Sequence, residues 1–374
     1  MSETGGGHRA AAEAISEALD HLYGKAVTVS VVDAWKHHVA WPLNSLASSY
    51  HWFITTGDWL WQSFWLLQNR PQLVQRLLQT LYPLVAPGLW SLFKAQQADV
   101  IVSVHPLITF FPLLVLRRHQ LNTPFVTVMT DLIKGYPAWF QPQTTLCLVP
   151  TQLARRQALG LGLAPNQVEV VGQPVGLKFA TASRHKAHLR AHLGLELHRP
   201  TVLLSGGGEG YGPIFEIARS IAQRTPPAQL LIVTGRNQAL YQKLQQYRWE
   251  IPTKIYSFVD NMPELMGAAD ILVSKAGPGT LSEAFMMGLP VIIFGYIPGQ
   301  EEENVAYVQS HQAGRYIPDP VVIAQTLTQW FQPGNTTLRH MADQSAQLAR
   351  PEAALKIAQR VYQLIAPTIP NPPR

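Results

Sequence analysis

Cysteine is almost absent from this 374-residue chain, in which Cys147 stands alone. One thiol excludes an intrachain disulfide and any cysteine-built zinc site. Its neighbours Leu146 and Leu148 read as a buried strand, so the thiol is expected in the core. Charge is scarce too: Asp, Glu, Lys and Arg make up 14%, against roughly 25% in an average soluble domain. Part of the surface is therefore expected to rest against something apolar. The net charge of +6 (29 Lys and Arg minus 23 Asp and Glu) is mild and forms no long Lys/Arg run. That argues against nucleic acid as a partner and suits phosphorylated ligands or an anionic membrane surface. No run of 18 uncharged apolar residues is present, so no segment reads as a membrane-spanning helix. Met1 to Ala12 lacks the basic start and apolar stretch of a secretory signal, and a cytoplasmic or stroma-like compartment is expected. The 13 histidines show no metal-ligand spacing, and no metal site is expected.

What is plentiful is apolar side chain, 47% of the residues, enough for two cores. Strand-like runs at 27–32, 100–104, 125–129, 145–149, 168–171, 202–204, 230–233, 255–258, 271–273 and 291–294 alternate with helical patterns such as 13–22, 152–159, 214–223 and 283–287. Such alternation predicts an α/β protein with parallel sheets. Two doubly wound, Rossmann-like domains are expected, facing a cleft. The boundary falls just past Gly172-Gln173-Pro174, giving domains over 1–175 and 176–350, then a helix and Pro-rich tail over 351–374. A turn such as Gly5-Gly6-Gly7 ordinarily follows a strand, yet only four residues precede it, so either the N-terminal sheet lacks its first strand or, as favoured here, that strand is expected upstream of Met1.

The motifs cluster at strand ends. Gly6 and Gly7 allow close backbone approach to a ligand. His8 then stands at a helix N-terminus, where the dipole disfavours imidazolium and favours the neutral ring a general base needs. A capping histidine without chemistry is the simpler alternative. Gly5, Gly7 and Ala10 also fit the dinucleotide spacing, with Asp33 in the place of a ribose-binding acid, which keeps an NAD-dependent oxidoreductase open. Gly206-Gly207-Gly208-Glu209-Gly210 fits neither that spacing nor a Walker loop, but supplies backbone N–H groups for a diphosphate. Arg236 can neutralise a phosphate or lie on the surface. Asp131 ends a strand, where it can orient His8 or cap the next segment.

Residues 274–304, SKAGPGTLSEAFMMGLPVIIFGYIPGQEEEN, carry the most. Gly277-Pro278-Gly279 opens a helix whose free N–H groups suit an anion. Thr280 and Glu283 have capping-box spacing, with a bidentate acceptor for ribose hydroxyls as the other reading of Glu283. Gln300, Glu301 and Asn304 close a polar loop at the same sheet edge, able to read hydroxyls. The ligand this predicts is phosphorylated and carries a sugar. At the other end, residues 35–65 hold six of the ten tryptophans, among them Trp52, Trp59, Trp61 and Trp65, with only Lys36 and Asp58 charged. Such clustering suits a membrane–water interface, with an aromatic core as its rival.

Together, 1–9, Thr130-Asp131-Leu132 with Trp139-Phe140, 206–210, 235–237, Lys275 to Thr280 with Glu283, and Tyr296 to Glu301 with Asn304 resemble the monogalactosyldiacylglycerol synthases. The wider group, glycosyltransferase family 28, includes processive diacylglycerol glucosyltransferases and the N-acetylglucosamine transferase of peptidoglycan synthesis. The resemblance implies the two-domain glycosyltransferase B fold, an N-terminal domain for diacylglycerol and membrane, and a C-terminal domain for a UDP-hexose. It implies inverting transfer to diacylglycerol without a bound metal, in keeping with the lack of an Asp-x-Asp motif, at the cytoplasmic face of a membrane to which the protein binds peripherally. His8 falls on the family's base, Glu283 on the ribose acceptor, Gln300 and Glu301 on the sugar readers, and Phe258 and Val259 where backbone meets the uracil. Galactose is favoured over glucose without being decided. A diacylglycerol glucosyltransferase, a UDP-sugar epimerase and a non-catalytic membrane-surface protein remain alternatives.

Overall fold

The computed structural model describes residues 6–40, 44, 76, 78–224 and 228–365. Two compact units emerge. The first comprises Met1–Gly176, Pro298–Gln300 and Glu352–Arg374; the second comprises Leu177–Ile297 and Glu301–Pro351.

The first unit is built on a parallel sheet of β1 (Ile101–Ser103), β2 (Phe125–Val128), β3 (Leu146–Val149) and β4 (Val168–Val170), adjacent in chain order. Every residue of β2 and β3 is buried, as a parallel strand covered on both faces requires. Cys147 lies fully buried in β3, and burial pushes its thiol up to about 12, so it is an inert core residue. The helix Gly6–Tyr23 turns Ala11, Ala14, Ile15, Ala18 and Leu19 inward. It packs on the helix Ala353–Ile365, whose own stripe of Ala354, Ile357, Ala358 and Val361 is buried. Tyr23 stacks on Tyr362 at 3.8 Å between ring centres, and Arg360 Nε donates to Glu169 Oε2 at 2.7 Å.

The run 27–32 is not a strand. In a doubly wound sheet its neighbour is the strand before the glycine turn, and no such strand occurs among the described residues. Val29 and Val31 are 40% and 43% exposed. Asp33 is also corrected: it is 7% exposed and caps the helix Ala34–His38, accepting from the N–H groups of Trp35 and Lys36. Trp35 is core, 3% exposed and 6.1 Å from Phe111 between ring centres. Trp52, Trp59, Trp61 and Trp65 lie outside the described residues.

The second unit holds a six-stranded parallel sheet in the order β10-β9-β8-β5-β6-β7. The strands are β5 (Thr201–Ser205), β6 (Gln229–Val233), β7 (Thr253–Tyr256), β8 (Ile271–Lys275), β9 (Val291–Gly295) and β10 (Gly314–Tyr316). Continuous apolar sequence makes β5 and β6 buried throughout. β10 escapes sequence reading because it is a three-residue edge strand with Arg315 and Tyr316 exposed. The order runs outward from β5 in one direction and from β8 in the other, so the chain reverses between these neighbours. Ser205 pairs with Ser274, leaving the loops after β5 and β8 side by side at that switch point, where doubly wound sheets bind ligands.

Candidate active site

The site of the second unit begins where β5 and β8 end. After Ser205 the chain turns through Gly206–Gly212, and this turn packs backbone to backbone on the end of β6. Arg236 N donates to Gly208 O at 2.8 Å. Gly235 has φ +58°, and a Cβ there would lie 2.3 Å from Gly208 O, so the approach requires glycine. Among the described residues, the N–H groups of Gly208 and Glu209 have no hydrogen-bond partner.

After β8, a bulge at Ser274/Lys275 leads to Gly277, the N-cap of the helix Pro278–Met287. Pro278 takes the first helical position, and the N–H groups of Gly279 and Thr280 find no partner among the described residues. The capping-box reading is corrected: Gly277 is the cap, so Thr280 and Glu283 lie inside the helix and no side chain caps it. Glu283 is half-buried with no hydrogen bond among the described residues, and its pKa is pushed up to about 7 by burial, opposed by the charge of Lys178. A carboxylate desolvated in this way is short of donors.

Phe258, beyond β7, is 52% exposed, with the half-buried Val259 beside it. The Arg236 guanidinium lies 4.7 Å from the Phe258 ring centre and pairs with Glu209 Oε1 at 2.8 Å. Glu301 is 2% exposed. Its Oε1 pairs with Lys275 and its Oε2 accepts Ile297 N at 3.0 Å. Asn304 is equally buried; its Nδ2 donates to Ala276 O at 2.9 Å, and its Oδ1 has no partner. Lys275 opens the Lys275–Thr280 motif read in the sequence but was given no role there.

In the first unit, Gly6 and Gly7 form the opening turn of their helix and His8 follows on it. His8 is half-buried, and its Nδ1 lies 2.8 Å from Val104 O, just past β1, and 2.9 Å from Thr130 Oγ1, just past β2. A carbonyl only accepts, so Nδ1 carries the proton. Nε2 is left with a bare lone pair and, among the described residues, no hydrogen bond. Burial pushes the pKa down to about 4, opposed by the hydrogen bond to Val104. The ring of His105 meets His8 edge-on at 4.6 Å. His105 Nδ1 accepts Leu107 N at 3.2 Å, and burial holds its pKa well below the usual histidine range. This second histidine is missed in sequence because it is an isolated residue at a strand end.

The hydrogen bonds that orient His8 come from Val104 and Thr130, while Asp131 takes another role. Its carboxylate is 3% exposed, and Oδ2 accepts Trp139 Nε1 at 2.7 Å. Its Oδ1 accepts Gln300 Nε2 at 3.1 Å, within the first unit as grouped above. Gln173 fixes the same loop by donating to Thr130 O at 3.0 Å.

Two parallel-sheet units of this kind, with a glycine-lined switch point in the second, have the architecture of the glycosyltransferase B fold. Solved structures agree on the fold: MurG of Acinetobacter baumannii (TM-score 0.56, 15% identity, covering 76% of this chain and 79% of that one) and MnaA of S. aureus with UDP (TM-score 0.58, 14% identity, 77% and 81%). The monogalactosyldiacylglycerol (MGDG) synthase model matches residues 8–175, and the glycosyltransferase family 28 C-terminal domain model matches 201–360. The monogalactosyldiacylglycerol synthase of Spinacia oleracea is 39% identical, covering 98% of this chain and 72% of that protein. The probable chloroplastic synthase of Nicotiana tabacum is 40% identical, covering 98% and 70%. This chain belongs to the monogalactosyldiacylglycerol synthase family.

Proposed function

We propose that this chain transfers galactose from UDP-galactose to 1,2-diacylglycerol with inversion, forming β-monogalactosyldiacylglycerol. The observation that carries the reaction is His8. Its proton is committed to Val104 through Nδ1, and its unprotonated Nε2 is free to take the proton of the glycerol hydroxyl. The resulting alkoxide attacks the anomeric carbon, and the bond to the UDP oxygen breaks. Charge accumulates on the departing diphosphate. The unpartnered N–H groups of Gly208, Glu209, Gly279 and Thr280 suit that charge, and the reaction then needs no metal.

Glu283 is the ribose acceptor in this reading, because two hydroxyl donors would satisfy a carboxylate the fold leaves without any. The exposed Phe258, with Val259, takes the uracil. Gln300 reads the hexose, assisted by Glu301 and Asn304 from a buried position. Galactose is chosen over glucose, and diacylglycerol over other acceptors, because the relatives are named for that product. The protein is proposed to work peripherally at an anionic membrane surface, using Trp52, Trp59, Trp61 and Trp65. No described helix is long and apolar enough to cross a membrane.

The test is the full chain with diacylglycerol liposomes and either UDP-galactose or UDP-glucose, the lipid products separated by chromatography and the anomer read by proton NMR. The expected product is the β-galactolipid. Free epimerised or hydrolysed sugar nucleotide with no glycolipid from either donor would sink the reading.

A further inference from the structure

Lys275 ends β8, and the bulge at Ser274/Lys275 alters its register with β9 just before the helix-opening turn. Its ammonium reaches the point where the two glycine turns meet. Lys275 Nζ lies 2.9 Å from where a Cβ on Gly277 would stand, and its Cε lies 3.7 Å from where one on Gly207 would stand. The side chain is 18% exposed and ion-paired to the buried Glu301. Glu301 is fixed in turn by Ile297 N. The neighbouring cation at this edge, Arg236, is paired with Glu209 and stacked over Phe258. Glu301 already supplies one counter-anion to the buried ammonium, and the N–H groups of Gly208, Glu209, Gly279 and Thr280, unpartnered among the described residues, offer donors beside it for a second. A β-carbon on Gly277 would press on the ammonium itself, so glycine there is what lets Lys275 lie against the turn.

We infer that Lys275 is the cation that neutralises the ligand's diphosphate, and that Glu301 acts through it as a positioning residue. This rests on the donor reading proposed above and assigns within it a charge the backbone N–H groups alone do not supply. An ammonium has three donors. One goes to Glu301, which leaves others for phosphate oxygens. As the sugar–phosphate bond breaks, the diphosphate becomes more negative and the interaction strengthens, so Lys275 contributes to turnover as well as to binding.

Calorimetry on the full chain with UDP and with uridine tests this. Lys275→Met is expected to weaken UDP by about 10–100-fold, the weight of one charge-assisted hydrogen bond, and to leave uridine nearly unchanged. Lys275→Arg should restore most of the UDP affinity. Lys275→Met alone strands a buried carboxylate, so Lys275→Met/Glu301→Gln, which leaves no orphan charge, guards against misfolding and should show the same selective loss. Unchanged UDP binding in the double variant, or equal loss of UDP and uridine, would overturn the assignment. If wild-type protein binds neither UDP nor uridine, the donor reading itself fails.

Discussion

His8 and Glu283 are both ionisable groups shifted by burial, in opposite senses. Replacing His8 with alanine is expected to lower kcat by about 100- to 10,000-fold with UDP affinity unchanged, checked by turnover beside calorimetry. Because the pKa of His8 sits at about 4, the base stays unprotonated well below the ordinary histidine range. At saturating UDP-galactose, kcat should then show no histidine-like fall between about pH 7.5 and 5.5. For stability, a depressed histidine pKa contributes above its unfolded value of 6.5, and the contribution is lost as pH falls toward 4. Glu283 runs the other way. Its carboxyl is raised from 4.5 to about 7, so its contribution is complete below 4.5 and lost as pH rises through 7. Glu283→Gln should therefore raise Tm relative to wild type at about pH 8 and not at about pH 4.5, while weakening UDP by about 10-fold or more. Wild-type UDP affinity should rise with pH through 7, because only the carboxylate accepts both hydroxyls. In sequence, three preceding glycines drew attention to His8, with a plain capping histidine as its rival, and Glu283 was ambiguous between cap and ligand. The start of the helix at Gly277, not at Thr280, removes the cap reading.

The glycine turn of 206–212 and the end of β6 form one packed layer. Gly235→Ala adds a methyl 2.3 Å from Gly208 O at φ +58°. It should destabilise the second unit by about 2 kcal/mol or more and lower UDP affinity, measured by chemical denaturation and calorimetry. Most strands were legible, because parallel strands covered on both faces are written as continuous apolar runs. Two were not. The valines of 27–32 have strand propensity but no pairing partner among the described residues, and propensity without a neighbour builds no ladder. β10 has the neighbour β9 but only a three-residue run, two of them exposed.

Over the whole molecule, the helix Ala353–Ile365 is far from the first unit in sequence and belongs to it in space. Its buried Ala353, Ala354, Ile357, Ala358, Val361 and Ile365 are worth on the order of 5 kcal/mol, a large share of a domain's net stability. Truncation after Pro351 should therefore strip hydrogen-exchange protection from the helix Gly6–Tyr23 and from β4 while leaving β5 to β9 protected. Loss centred on β5 to β9 instead would show that the helix supports the second unit. The sequence by itself determined the α/β class, the polar loops at strand ends and the family, since periodicity and short glycine motifs are local properties. Only the tertiary structure decided that the loops after β5 and β8 are neighbours, because strand order is set by pairing between distant segments. It alone turned Asp131 toward Trp139 and Thr130 toward His8, and buried Lys275 against Glu301, because desolvation and hydrogen-bond choice depend on which side chains the fold brings within reach.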